Sequence, residues 1–271
     1  MLITSTQNPY VRRMRSLYSR KGRDRTGLIP VEGVRFVAEA LAGAQRGVTS
    51  VDAIFYEAGC EDTLDNELVQ AVGKINGKIF RCSASVFKTL ADTDTPQGIV
   101  AAVHRPIFRP SPPDEKTLYL VVDRVQDPGN LGTMIRTAAA AGVHAVYCLK
   151  GTVDPYNPKT LRATMGSIFR IPIEVRVDSQ DLVAGLRRHK CRLIAADIAA
   201  KHYHFEVPYA GCTAIIIGNE GQGIETSLLS VADIKVKIPL AQGVESLNAA
   251  VACGILLFEA VRFRHSPEPH L

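Results

Sequence analysis

The chain has 271 residues, 46% of them hydrophobic, no Trp and a formal net charge of +5. That length suits one large domain or two modest ones, and no apolar run approaches the roughly 20 residues of a membrane span. Six scattered cysteines without a Cys-x-x-Cys pair exclude a disulfide framework and a structural zinc site, and read as reduced thiols of a cytoplasmic protein.

Met1-Leu2-Ile3-Thr4-Ser5-Thr6 carries no signal-peptide pattern. Residues 1–30 hold Arg12, Arg13, Arg15, Arg20, Lys21, Arg23 and Arg25 against Asp24 alone, a surplus that exceeds the net charge of the whole chain. Concentrated positive charge points to a polyanion, with nucleic acid the favoured partner and a solvated basic helix the plain alternative. Val11, Met14, Leu17 and Tyr18 recur at helical spacing, so the charges decorate a short helix. Next come a helix over Glu32–Leu41, a strand at Val51–Tyr56, a helix around Asp65–Val72, a strand at Lys78–Arg81, a helix at Ala84–Leu90 and a strand at Gly98–Val103. Residues 1–105 thus read as a small α/β domain.

Residues 104–114 contain four prolines, which fix φ and withhold backbone donors. We read residues 106–116 as a linker and 117–271 as a second domain. There, strands are expected at Leu118–Val122, Ala145–Leu149, Ile171–Val177, Arg192–Ala196, Ala214–Ile217 and Ile234–Ile238. Helices are expected at Leu131–Ala141, Asp181–His189, Glu225–Ser230 and Leu247–Phe263. Apolar strands alternating with helices imply a mainly parallel sheet covered on both faces. The last helix is apolar almost all round and should be buried on several sides, a partner subunit being one cover.

Three strands of this domain end in polar, glycine-rich loops, the usual place for a ligand in an α/β sheet. The first loop is Asp123-Arg124-Val125-Gln126-Asp127-Pro128-Gly129-Asn130-Leu131-Gly132, the second Ile217-Gly218-Asn219-Glu220-Gly221-Gln222-Gly223, and the third leads from Ile238-Pro239-Leu240 to Ser246-Leu247-Asn248. No dinucleotide fingerprint or Walker sequence is present, which disfavours a nicotinamide dehydrogenase or a nucleoside triphosphatase. Each polar residue also has a plain structural role open to it. Asn130, Ser246 and Asn248 suit helix capping, Glu220 suits a helix N-terminus, and Arg136 suits a surface ion pair with Asp123 or Asp127. His202-Tyr203-His204 lacks a clustered carboxylate and reads as surface.

In order, spacing and polar positions, the three loops resemble the three motifs of the SPOUT-class TrmH (SpoU) family of RNA ribose 2′-O-methyltransferases. Arg136-Thr137-Ala138 follows the first motif, and Glu245-Ser246-Leu247-Asn248-Ala249-Ala250-Val251-Ala252 completes the third. Arg162-Ala163-Thr164-Met165-Gly166-Ser167-Ile168-Phe169-Arg170 also fits, as do Asn8-Pro9, Glu32-Gly33 and Thr95-Pro96-Gln97-Gly98 of the family's N-terminal substrate-binding domain. The resemblance implies a C-terminal parallel-sheet SPOUT domain with a trefoil knot, beside a smaller N-terminal α/β RNA-binding domain. It implies S-adenosyl-L-methionine as cofactor, RNA as partner and a homodimer through the C-terminal helix, without a metal or a membrane.

By the same resemblance Arg136, Asn130, Glu220, Ser246 and Asn248 are the catalytic set. Gly218, Asn219, Ile238, Leu240, Leu247 and Asn248 hold the cofactor. Arginine is a poor base, but it suits stabilisation of a developing alkoxide and capture of a neighbouring phosphate. Ribosomal RNA, most specifically 23S, is the favoured substrate. Transfer RNA, or a catalytically silent role in RNA binding or ribosome assembly, is the alternative.

Overall fold

The computed structural model describes residues 2–60, 78–109 and 112–265. The helix expected at residues 65–72 lies outside the described residues. The chain forms two compact units, Met1–Phe108 with Tyr156–Arg170, and Arg109–Pro155 with Ile171–Leu271.

The first unit is built on a five-stranded sheet in the order β1-β4-β3-β5-β2. Its strands are β1 (Leu2–Ile3), β2 (Leu28–Glu32), β3 (Val51–Glu57), β4 (Lys78–Cys82) and β5 (Ile99–His104). Helices α1 (Pro9–Ser16), α2 (Arg20–Thr26), α3 (Val34–Gln45) and α4 (Ala84–Phe87) accompany them. In α1, Val11 and Met14 are buried in a cluster with Phe55, Phe87 and Leu90, so its arginines are left on the outside. Strand β2 escaped the sequence reading because Pro30 marks a break. Proline is tolerated there since β2 is an edge strand, paired only with β5. Glu32 belongs to this strand, and the helix begins only after Gly33, whose φ of 95° ends the extended segment.

Helix α6 (Pro158–Thr164) was not anticipated, although Asn157 caps it and Pro158 opens it. With the 3-10 turn Ser167–Phe169 it packs in the first unit. Arg162 pairs with Asp92 at 2.5 Å, Arg170 with Glu39 at 2.7 Å, and the rings of Phe169 and Phe36 meet at 5.8 Å. Residues 156–170 therefore pack with the N-terminal region, although the sequence reading counted them with the second.

The second unit holds a seven-stranded, all-parallel sheet in the order β10-β12-β9-β11-β6-β7-β8. Its strands are β6 (Leu118–Val122), β7 (Ala145–Leu149), β8 (Ile173–Val177), β9 (Arg192–Ala196), β10 (His202–Tyr203), β11 (Thr213–Ile217) and β12 (Ile234–Lys237). The helices are α5 (Pro128–Ala140), α7 (Ser179–Arg188), α8 (Thr226–Ser230) and α9 (Ala249–His265). Alternate residues of β6 face opposite cores, as a strand sandwiched between helices requires. Leu118, Leu120 and Val122 pack with α5 and α9, while Tyr119 and Val121 pack with Leu182 and Leu186 of α7 and Leu228 of α8. Strand β12 lies between β9 and β10, inside the excursion the chain makes from β9 out to β10 before returning to β11.

Helix α9 is less buried than its composition suggests. Ala250, Cys253, Leu256, Leu257 and Ala260 enter the core, but Val251 and Phe258 are 51% and 49% exposed and align one above the other along the helix. Arg264 anchors its last turn by donating to the carbonyl oxygens of Tyr209, Lys116, Thr117 and Gly211.

Five of the six cysteines are buried, and Cys60 is partly exposed. Burial pushes the Cys82 thiol up to about 11 and the Cys148 thiol up to about 12, and it raises Cys191, Cys212 and Cys253 as well. The thiolate is the reactive form, so raised values leave almost none of it at neutral pH. An aromatic disulfide reagent at pH 7.5 should titrate no more than one thiol rapidly in the native protein and all six in denaturant. Rapid reaction of two or more native thiols would contradict this burial.

Candidate active site

The three polar loops meet at the carboxyl ends of β6, β11 and β12, where β6 and β11 are neighbours and β9 alone stands between β11 and β12. Asp127 caps α5, its carboxylate accepting the Asn130 backbone N–H at 2.7 Å. This leaves the Asn130 side chain free of the capping role open to it. Its Nδ2 donates to Glu220 Oε1 at 2.7 Å, and its Oδ1 accepts from Asn248 Nδ2 at 2.8 Å. Asn248 also caps α9 through Oδ1, which accepts the N–H groups of Ala250 and Val251. One residue from each loop thus joins a single hydrogen-bonded chain, Asn248–Asn130–Glu220. Glu220 opens no helix, since α8 starts six residues later.

Beside this chain is a cavity of about 630 Å³, within the usual range for small-molecule sites. Its walls come from Ala196–Ile198 after β9, Ile217–Ile224 after β11, Val236–Ile238 with Leu240, and the Glu245–Leu247 turn with Ala249 and Ala252. Of the expected cofactor residues, Gly218, Asn219, Ile238, Leu240 and Leu247 line it, and Asn248 does not. Of the expected catalytic residues, Glu220 and Ser246 line it, while Asn130 joins through Glu220.

Gly218 is dictated by close approach. A β-carbon there would sit 2.3 Å from the carbonyl carbon of Gly223 and 2.4 Å from the nitrogen of Ile224. The loop returns onto this bare backbone, closed by reciprocal bonds between Asn219 and Gly223, with Asn219 N–H to Gly223 O at 3.1 Å and Gly223 N–H to Asn219 O at 2.9 Å. Asn219 braces the turn further, its Oδ1 accepting from the N–H groups of Gly221 and Gln222 and its Nδ2 donating to the Arg124 carbonyl.

Arg136 lies on the exposed face of α5 and makes no hydrogen bond or ion pair with the described residues. The surface pairing open to it in the sequence is not formed. Asp123 pairs with Arg124, and Asp127 serves as the cap. Six residues separate Arg136 from Asn130, about 9 Å of helical rise, and Arg136 is not among the residues lining the cavity.

The sequence reading gave Asp123 and Arg124 no role at the site. Asp123 is 1% exposed, and its carboxylate accepts both the Arg124 guanidinium and the Glu225 N–H. The signal available was a charged pair directly after the apolar run Leu118–Val122. No group of three or more potential metal ligands occurs among the described residues.

A cavity among loops at the carboxyl edge of a parallel sheet is the usual ligand place of an α/β fold. The chain belongs to the SpoU rRNA Methylase family, which matches residues 117–258. An MRM3-like substrate binding domain matches residues 8–101. Among curated relatives, an uncharacterized tRNA/rRNA methyltransferase of Synechocystis is 36% identical over 96% of this chain and 93% of its own length. The 23S rRNA (guanosine(2553)-2′-O)-methyltransferase RlmP of Bacillus subtilis is 35% identical over 94% of this chain and 97% of its own. The crystal structure of an AdoMet-bound rRNA methyltransferase from Sinorhizobium meliloti superposes with a TM-score of 0.84 at 32% identity. It covers 98% of this chain and 99% of that one.

Proposed function

We propose that the protein methylates a ribose 2′-hydroxyl of 23S ribosomal RNA, using S-adenosylmethionine. The observation that carries this reading is the Asn248–Asn130–Glu220 chain, which draws the three motifs together beside the cavity. The cavity fits such a cofactor. It is of suitable volume, its walls mix aliphatic side chains with backbone, and the bare Gly218 brings two backbone segments together at one wall. Bound there, S-adenosylmethionine supplies an electrophilic methyl group.

Gly218, Asn219, Ile238, Leu240 and Leu247 would hold it, with Asn248 fixing the loop through its cap. Asn130, Glu220, Ser246 and Asn248 would orient the ribose. Arg136 would offset the charge that develops on the 2′-oxygen and grip an adjacent phosphate, roles that a planar, permanently charged guanidinium suits. The exposed Val251 and Phe258 of α9 support a homodimer that buries this stripe. Among the described residues, no helix is long and apolar enough to cross a membrane. The likeness to a Bacillus subtilis rRNA methyltransferase supports a cytoplasmic location.

RNA grip falls to the N-terminal unit, and only part of its basic run is available for it. Arg23 is buried and donates to the carbonyls of Leu17 and Tyr18. Arg13 pairs with Asp52, and Arg20 with Asp24. Arg12, Arg15, Lys21 and Arg25 remain exposed, without an ion pair to the described residues. Replacing these four by Gln should weaken RNA binding and flatten its dependence on salt, each lost phosphate contact lowering the log–log slope by about 0.7–0.9. Cofactor affinity should stay the same. Titrations between about 50 and 200 mM salt would check this, and an unchanged slope would assign RNA binding elsewhere.

The functional test is methyl transfer from labelled S-adenosylmethionine to unmodified 23S rRNA, 16S rRNA and bulk tRNA. Label in 23S rRNA at one position that resists alkaline cleavage is expected. Label in tRNA instead would move the substrate class. Cofactor binding without label in any of the three would point to a structured precursor or assembly intermediate as substrate, and neither label nor cofactor binding would favour the silent RNA-binding role.

A further inference from the structure

We propose that Arg124 is a positioning residue for the cofactor cavity, holding the loop of residues 218–224 closed over it. The inference rests on the cofactor reading above. Arg124 occupies the left-handed region at φ 56°. A residue with a β-carbon is strained there, and such conformations persist where the surroundings over-determine them. Glycine would adopt this φ freely, so the side chain has to be accounted for by its contacts.

Those contacts tie together three separate loops. The guanidinium forks onto Asp123, with Nε to Oδ1 at 3.1 Å and Nη2 to Oδ2 at 3.2 Å. Its outer edge reaches Gln222 Oε1 and the Gly223 carbonyl, both at 3.4 Å. Gln222 and Gly223 both line the cavity. The aliphatic stem lies against Gly151, where a β-carbon would come within 3.1 Å of Arg124 Cγ. The backbone is held as well. Its N–H donates to Thr152 Oγ1 at 3.1 Å, and its carbonyl accepts from Asn219 Nδ2 at 2.9 Å. The buried Asp123 carboxylate fixes the guanidinium on one side and turns its outer edge to the loop.

A loop held closed for a fraction of the time binds its ligand with an apparent dissociation constant raised by the inverse of that fraction. Losing the latch should therefore raise Kd and KM for S-adenosylmethionine and leave kcat at saturation nearly unchanged. General destabilisation does the reverse, since it removes active molecules without altering the affinity of the rest.

The test compares Arg124→Gly, Arg124→Lys and wild type by calorimetric titration with S-adenosylmethionine and by steady-state methyl transfer, below the unfolding midpoint of each. Arg124→Gly adopts this φ without strain and removes the latch together with the Asp123 ion pair and the packing on Gly151, losses that thermal unfolding reads separately from affinity. We expect its Kd and KM for the cofactor to rise about tenfold, with kcat within about twofold. Arg124→Lys should recover only part of the affinity, because one ammonium cannot replace a fork. Wild-type cofactor affinity in Arg124→Gly overturns the inference. So does a loss confined to RNA affinity, which would make Arg124 a phosphate contact. A wild-type protein that binds no S-adenosylmethionine would instead overturn the functional reading itself, and this one with it.

Discussion

Methyl transfer by Arg136→Ala should fall by about 10²–10³-fold, the usual loss when one donor to a developing oxyanion is removed. Cofactor affinity should stay within about twofold of wild type, because Arg136 does not line the cavity. Arg136→Lys should recover little, since a point charge cannot bridge an oxyanion and a phosphate as a planar fork does. Single-turnover rates at saturating cofactor would measure this. Full activity in the alanine variant would remove Arg136 from the reaction. Its exposed position on α5, without a described partner, makes the expectation sharp. No structural ion pair is lost with the side chain, so a fall in rate would not be a stability effect.

Gly218→Ala should have the largest effect on the cofactor. The new methyl group would lie 2.3–2.6 Å from backbone atoms of Gly223 and Ile224, which cannot rotate aside as a side chain can. Ordinary contact needs about 3.5 Å or more, so the turn must open by roughly an ångström. Overpacking of this kind costs about 1–3 kcal/mol, a midpoint shift of a few degrees for a protein of this size. Binding should suffer more than stability, because the displaced segment is itself a cavity wall. Calorimetry should find affinity reduced at least about a hundredfold, the protein remaining folded by thermal unfolding. Wild-type affinity would mean that the loop already samples an open form.

Much of the second unit was legible from sequence for one reason. Strands buried on both faces of a parallel sheet must be apolar throughout, so Leu118–Val122 and Ala145–Leu149 stand out with their true boundaries. The ligand loops follow those strands, and their polar residues were visible against the apolar background. What could not be read was partnership. Nothing in the sequence says that Asp127 rather than Asn130 caps α5, so the release of Asn130 toward Glu220 and Asn248 appears only in three dimensions. Arg124 resembled any loop arginine, because a backbone φ leaves no trace in composition. Residues 156–170 were hidden for a related reason. Nothing in the sequence pairs Arg162 with Asp92 or Arg170 with Glu39, about 70 and 130 positions away. In the first unit the short strand β2 was masked by Pro30, whose tolerance depends on an edge position that only the sheet order reveals.

The place of β12 between β9 and β10 bears on how the protein matures. Pairing partners far apart in sequence are slow to form, since loop closure must precede the contacts that reward it. Here the segment that completes the cavity follows all the other strands in sequence, and it must be admitted between strands made earlier. Ile238, Leu240, Leu247 and Asn248 all follow β12, so a chain folded only up to α8 has most of its sheet and no finished binding site. The ability to capture cofactor would then arise in the final, slowest phase of refolding. A chain stalled before that phase could look well ordered by its secondary structure and still be inert.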